Sequence, residues 1–76
     1  MQEKEIKIRF DAGDLKAASV VKAPLENGWN LLVTDKNKLA IPVERKRGGI
    51  RLFKMIDAAC STAREIGFVD INVKMS

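Results

Sequence analysis

Residues 56–67 read IDAACSTAREIG, and this stretch decides the fold. Its apolar side chains recur at helical spacing and form one stripe, made of Ile56, Ala59, Cys60, Ala63 and Ile66. We predict an amphipathic helix over about residues 54–66, ended by Gly67 in a left-handed conformation. Asp57 near the start and Arg64 near the end suit the dipole of such a helix.

Period-two alternation of apolar and polar residues flanks the helix on both sides. Apolar residues occupy alternate positions from Val69 to Met75, which predicts a last strand over residues 69–75. Near the start of the chain, Ile6, Ile8 and Phe10 alternate with charged residues. This pattern of β-branched and aromatic residues is typical of a half-buried strand, and it predicts a first strand over residues 4–10.

Three more strands are predicted between these two, over about residues 18–23, 29–34 and 38–43. Asn27-Gly28 and Asp35-Lys36-Asn37 favour tight turns between them, because Gly, Asn and Asp accept turn conformations. Pro42 cannot donate a hydrogen bond to a ladder, so its strand is expected at a sheet edge or a bulge. The segment Leu15–Ala18 fits either a helical turn or the start of a strand.

The order of strands, then a helix, then a strand predicts the fold class. A mainly antiparallel sheet with one helix on one face satisfies this order, which is an α+β two-layer architecture. With 76 residues the chain has the length of one domain, so we expect residues 1–76 to form a single α+β domain. A core of this size is marginal, and we expect a homodimer to supply additional stability.

Composition excludes several classes of protein. The chain has one cysteine, Cys60, and no histidine, so it lacks an internal disulfide and the ligands of a structural zinc site. We expect no cofactor and no metal. No apolar stretch resembles a signal peptide or approaches the roughly 20 residues of a membrane span. Together with the lone thiol, this predicts a cytoplasmic protein with no membrane partner.

Residue types suited to catalysis are scarce. General acid–base chemistry at neutral pH usually relies on His, or on a carboxylate or lysine shifted by burial. The chain has no His and no Tyr, and its carboxylates fall in predicted turns, on solvent-facing strand positions or at helix ends. Cys60 lies on the apolar stripe, where a small buried residue is favoured over an activated nucleophile. We therefore expect no enzymatic activity.

Positive charge is concentrated in the middle of the chain. Between Asp35 and Lys54 there are seven basic and two acidic residues, whereas the remainder has seven basic and eight acidic residues. The seven are Lys36, Lys38, Arg45, Lys46, Arg47, Arg51 and Lys54. Gly48 and Gly49 predict a loop among them, where guanidinium groups and exposed backbone can contact phosphates closely. We predict these seven as nucleic-acid-binding residues; the alternative is a solvated loop that protects an edge strand.

Trp29 and Phe68 are the candidates for stacking against bases. Trp29 follows a predicted turn and suits a surface platform, but it is also the largest residue available to a small core. Phe68 falls on the polar side of the last predicted strand, which predicts exposure for stacking or for a dimer interface. Aromatic residues make up only 5% of the chain, which weakens the stacking hypothesis.

Four short segments follow one another along the chain: GWNLLV at 28–33, RGGIRLFK at 47–54, DAA at 57–59 and REIG at 64–67. This succession resembles the small partition-associated proteins of plasmids and integrative elements, the ParC family, over roughly the C-terminal two-thirds of the chain. The resemblance implies a mobile-element accessory protein that acts with DNA or with a partition protein. In that pattern a Ser precedes the helix; this chain has Met55 there, so a standard N-cap is not expected.

Two functions are consistent with the sequence. The first is a non-catalytic nucleic-acid-binding accessory protein of a mobile element, which contacts phosphates through the basic loop. The second is a small homodimeric protein-interaction module, without nucleic-acid binding, whose sheet or edge strand binds a larger protein. The sequence leaves open whether the nucleic acid is DNA or RNA, and single- or double-stranded.

Overall fold

The computed structural model describes residues 2–74. In chain order its elements are α1 (Glu3–Asp11), β1 (Leu15–Lys22), β2 (Trp29–Asp35), β3 (Ala40–Pro42), α2 (Ile56–Ile66) and β4 (Ile71–Lys74). Two helices and a four-stranded sheet confirm the predicted α+β class. The described chain has one more helix and one strand fewer than predicted, because the first predicted strand is a helix.

The strands form one mixed sheet in the order β3-β2-β1-β4. β1 pairs antiparallel with β2, from Leu15 opposite Asp35 to Lys22 opposite Trp29, and β2 pairs antiparallel with β3. Two of the three strand pairs, β1–β2 and β2–β3, are antiparallel, so the prediction of a mainly antiparallel sheet is confirmed. β4 runs parallel to β1 because α2 returns the chain to the end of the sheet where β1 begins.

The predicted strand over residues 4–10 was wrong, since this segment lies within α1. Ile6 and Phe10 are four residues apart and therefore share one face of a helix as readily as one face of a strand. Ile6 is fully buried and Phe10 packs against the core, whereas Ile8 is 62% exposed on the opposite side of the helix. Packing of this single face against the rest of the fold outweighs the strand propensity of the isoleucines.

The other predicted elements are confirmed with changed boundaries. β1 begins at Leu15, so the ambiguous segment before Ser19 is strand. The strand predicted over 38–43 is only Ala40–Pro42, at an edge of the sheet, as expected from Pro42. The last strand begins at Ile71 rather than residue 69, and the predicted position of Met75 lies outside the described residues.

The predicted helix begins at Ile56 rather than residue 54 and ends at Ile66. Met55 occupies its N-cap without a side-chain hydrogen bond to the helix, in agreement with the missing Ser. Gly67 ends it with φ of 130°, a backbone conformation that residues with a Cβ rarely adopt.

Both helices pack against the same face of the sheet, which makes the two predicted layers. The buried strand residues of this face are Leu15, Ala18, Val20, Leu31 and Val33. α2 covers them with Ala59, Ala63 and Ile66, and α1 contributes Ile6. The two alanines let the backbone of α2 lie close to the sheet, because they add little bulk between the layers.

The course of β2 defines two ends of the molecule, which we name the Trp29 end and the Asp35 end. They lie roughly 20 Å apart at a strand rise of about 3.3 Å per residue. α2 begins at the Trp29 end, since Phe53, which lies three residues before the start of α2, pairs with Trp29. Neither helix in residues 2–74 is long and apolar enough to cross a membrane.

Candidate nucleic-acid interface

The basic segment after β3 folds into a tight turn, residues 45–49, which we call the basic turn. Glu44 and Ile50 pair as an antiparallel bridge at its base. Within it, the Gly48 amide donates to the Arg45 carbonyl at 3.0 Å, and the Arg45 amide donates to the Gly49 carbonyl at 2.9 Å. The φ angles of Gly48 and Gly49 are 90° and 79°, so the paired glycines provide the backbone reversal.

The reversal presents three consecutive cationic side chains to solvent, since Arg45, Lys46 and Arg47 are all exposed. Arg45 folds back over the turn, where its Nε donates to the Gly48 carbonyl at 3.3 Å. Within residues 2–74 no acidic side chain forms an ion pair with Lys46 or Arg47. Their charges are therefore available to an external anion.

Gln2 holds the basic turn against the start of α1. Its Nε2 donates to the Arg45 carbonyl at 3.3 Å and to the Lys46 carbonyl at 3.0 Å, and its backbone forms a parallel bridge with Glu44. These contacts join two segments more than 40 residues apart in sequence. The side of the turn that faces α1 is thereby fixed, whereas its cationic side chains remain in solvent.

A groove of about 800 Å³ lies between the basic turn and α1. Its cationic lining residues are Lys4, Arg45, Lys46 and Arg51, and its acidic ones are Glu3, Glu44 and Glu65. This mixed lining makes the groove itself a poor phosphate site, because the carboxylates repel an anion. The outer surface of the turn is the more strongly cationic part.

Arg51 lies behind the turn and is engaged within the protein. Its Nη1 is 3.3 Å from Glu3 Oε1, and its guanidinium carbon lies 4.6 Å from the centroid of the Phe53 ring. The ion pair is partly exposed and the ring contact is a cation–π interaction. Arg51 thus joins the segment after the turn to the start of α1, and Glu3 already balances its charge.

The other predicted cations divide between the two ends of the molecule. Lys54 is exposed just before α2, near the Trp29 end. Lys36 and Lys38 lie in the β2–β3 turn at the Asp35 end, where Lys36 Nζ is 3.8 Å from Asp14 Oδ1. The fold therefore brings five of the seven predicted residues to one end and separates the two turn lysines from them by the length of β2.

The aromatic candidates for base stacking are engaged in the fold. The prediction that Phe68 is exposed was wrong: it is buried at 5% exposure, and its ring packs edge to face on Phe10 with centroids 4.7 Å apart. It precedes β4 instead of standing on its polar face, so alternation does not apply to it. Trp29 is half-buried and packs against the core. No aromatic side chain among the described residues forms an exposed stacking platform.

Sequence reasoning missed three contributors to this end of the molecule. Lys4 is exposed and lines the groove beside Lys46, but the strand predicted over residues 4–10 gave no reason to place it there. Lys22 is exposed at the end of β1, opposite Trp29. Gln2 carries no charge, and only the fold shows that it anchors the turn. The only sequence signal for Lys4 and Lys22 was that both residues are basic.

Metal-ligating groups and the single thiol are the other candidate site features of the described residues. In the described chain, no group of three or more Cys, Asp and Glu residues is placed to hold a metal ion. Cys60 is half-buried on α2 and packs against the core, as its position on the apolar stripe predicted. The basic turn is therefore the feature of the described residues that best fits a binding site.

Comparisons of the chain with protein-family models, with curated proteins and with solved structures gave no match. Evidence for function accordingly comes from the geometry and charge described above.

Proposed function

We propose that this protein is a non-catalytic nucleic-acid-binding accessory domain that contacts phosphates through the basic turn. The observation that carries the proposal is the exposure of Arg45, Lys46 and Arg47 on a tight, backbone-anchored reversal. Lysine and arginine side chains contribute to nucleic-acid binding by neutralising phosphates and releasing counterions. The three side chains are exposed on the surface of the turn, where a phosphate backbone can reach them.

Other cationic groups at the Trp29 end support phosphate binding by the basic turn. Lys4, Lys22 and Lys54 are exposed at the same end of the molecule. Both helices begin there, but the acidic side chains Glu3, Glu5 and Asp57 in their first turns offset the partial positive charge of the helix N-termini, so the lysines carry this support. Glu3 engages Arg51, so we assign Arg51 a supporting role and leave the direct contacts to the turn residues and Lys54.

The contacts proposed here select for a polyanion and discriminate little between base sequences. Phosphate contacts position a protein on nucleic acid, and base edges or stacked bases supply specificity. With Phe68 buried and Trp29 packed on the core, base stacking has little support from the fold. We therefore expect binding to duplex DNA of unrelated sequences with similar affinity.

The resemblance to partition-associated proteins motivates the biological setting of the proposal. It suggests a cytoplasmic accessory protein of a plasmid or integrative element, bound to DNA near a partition protein. Non-specific phosphate contacts from a small domain are weak by themselves, and a partner already on the DNA would raise the effective concentration of the basic turn there. A partition protein is thus the partner class to be tested after nucleic-acid binding itself.

Fluorescence anisotropy with a labelled duplex and a labelled single strand tests the proposal. Replacement of Arg45, Lys46 and Arg47 by Ala should weaken duplex binding about tenfold or more at low salt. It should also make the slope of log K against log salt shallower by up to about 2.7, at about 0.9 per lost duplex contact. Far-UV circular dichroism should show an unchanged fold, because the three side chains are exposed.

The matched control removes three lysines at the other end, Lys16, Lys36 and Lys38. Both triple variants lower the net charge by three units, so a general charge effect would weaken both equally. We expect the control to bind much like the unmodified protein. Equal losses in the two variants, or no low-salt binding of the unmodified protein to either probe, would overturn the proposal.

A further inference from the structure

Within residues 2–74, β4 is an edge strand with an uncovered outer side. The sheet order places it beside β1 only, and the described elements that contact it are β1 and α2. Asn72, Val73 and Lys74 are exposed, and Val73 is 39% exposed although it points to the helix side of the sheet. An open edge of this kind presents unpaired backbone donors and acceptors to another strand.

The sequence along this edge is self-complementary. Residues 70–74 read Asp-Ile-Asn-Val-Lys, with an acid and a base at equal distances from Asn72 and an apolar residue on each side of it. Asp70 and Lys74 are both exposed. Their Cα atoms are four residue steps apart, roughly 13 Å along an extended chain, which is too far for an ion pair within one chain.

We propose that two copies of this chain associate through antiparallel pairing of their β4 strands about a two-fold axis at Asn72. In this register Lys74 lies opposite the partner's Asp70, and Asp70 lies opposite the partner's Lys74. Ile71 lies opposite the partner's Val73 on the helix side, where their contact covers the exposed part of Val73. The pairing makes one continuous eight-stranded sheet from two four-stranded ones.

A second copy fits this edge better than an unrelated strand does, because a second β4 in the opposite direction places a base opposite each acid. Two-fold symmetry repeats each contact, so a single complementary pair is formed twice in the dimer. Cross-strand pairs of opposite charge stabilise antiparallel strands, and like charges directly opposite destabilise them. The other edge, β3, has three residues and contains Pro42, which makes it a much poorer template.

Charge reversal tests the register. By sedimentation equilibrium we expect the unmodified protein to dimerise, and Asp70→Lys or Lys74→Asp to weaken dimerisation about tenfold or more, because each places two like-charged pairs across the axis. The double variant Asp70→Lys/Lys74→Asp restores both pairs in swapped form, and its dimerisation should return to near the original strength. Asp11→Lys and Lys38→Asp repeat the charge changes at exposed positions away from β4 and should have little effect.

Disulfide trapping provides a geometric test on the same axis. Residues opposite each other in antiparallel strands have Cα atoms about 4.5–5.5 Å apart, within the range that a disulfide spans. In a Cys60→Ala background, Asn72→Cys should therefore form a covalent dimer on mild oxidation, whereas Ser61→Cys, exposed on α2, should not.

A monomeric protein at every concentration, single reversals that leave dimerisation unchanged, or a double variant as weak as the single ones would each overturn the proposal. Anisotropy binding to duplex DNA is measured separately on the same variants. An unmodified protein that binds DNA but stays monomeric would contradict this proposal alone, whereas one that dimerises but does not bind DNA would contradict the proposed function alone.

Discussion

Gly67 lies directly against the ring of Phe10, so a Cβ on Gly67 would overlap the ring carbon Cε1. The same ring packs edge to face on Phe68, at an interplanar angle of 65°. The C-terminal ends of both helices and the segment before β4 therefore meet at Phe10. The absence of a side chain at Gly67 permits this contact, and its φ of 130° favours glycine independently.

Gly67→Ala should destabilise the protein by more than backbone strain alone, because it combines a disfavoured φ with a collision against Phe10. Gly13→Ala is the matched control, since Gly13 has φ of 82° and no atom lies within 4 Å of the position that a Cβ would occupy there. The control should lose about 1–2 kcal/mol of unfolding free energy, and Gly67→Ala clearly more. Urea denaturation followed by circular dichroism measures both, and equal losses would contradict the contact.

Ile6 and Ile8 distinguish a helix from a strand at the start of the chain. Ile6 is fully buried in α1, so Ile6→Ala should cost about 2–5 kcal/mol of unfolding free energy. Ile8 is 62% exposed, so Ile8→Ala should change it by no more than about 0.5 kcal/mol. Denaturation curves of the two variants provide the measurement. Similar large losses in both would favour the half-buried strand over the helix.

This pair of residues also shows why the sequence predicted α2 correctly and α1 incorrectly. In α2, Ile56, Ala59, Ala63 and Ile66 repeat over several turns, and a strand cannot place them on one face. In residues 4–10 the apolar positions are Ile6, Ile8 and Phe10. Ile6 and Phe10 fit a helix and a strand equally well, so only the burial or exposure of Ile8 distinguishes the helical period from the strand period. The exposure of Ile8 depends on where α2 and the sheet lie in space. A short segment with three apolar residues does not contain that information.

The candidate site, like the helices, was predictable from the sequence only where a local pattern determines it. The exposure of residues 45–47 follows from three adjacent cations before Gly48 and Gly49, which the sequence shows directly. The separation of Lys36 and Lys38 from that turn follows from the course of β2, and the pairing of Arg51 with Glu3 follows from the position of α1. Both are long-range relationships, and no local pattern encodes them.

Asp35 fixes the β2–β3 turn through its side chain. It is buried at 7% exposure, and its Oδ1 accepts hydrogen bonds from the amides of Asn37 and Leu39, each at 2.9 Å. Asp35→Ala removes the acceptor for both amides and should cost about 1–3 kcal/mol of unfolding free energy. Asp35→Asn keeps a side-chain oxygen and should lose less. Thermal denaturation of the two variants checks the order, and an equal loss would argue against these hydrogen bonds as the cause.

Gln2 should influence nucleic-acid binding without contributing charge, because it anchors the carbonyls of Arg45 and Lys46. Gln2→Ala should weaken duplex binding a few-fold as the basic turn becomes less ordered. Asn27→Ala removes an exposed amide at the same end of the molecule and should leave affinity unchanged. Anisotropy titrations compare the two variants, and unchanged affinity in Gln2→Ala would show that the anchor does not matter for binding.

Chemical-shift mapping of the backbone amides during titration with a short duplex tests most directly where nucleic acid binds. The proposed function predicts the largest changes at residues 45–49, with smaller ones at Lys4 and Lys54, and little change at Lys36 and Lys38 in the β2–β3 turn. Changes centred on the Asp35 end, or spread evenly over the surface, would contradict the assignment of the basic turn as the phosphate-binding element.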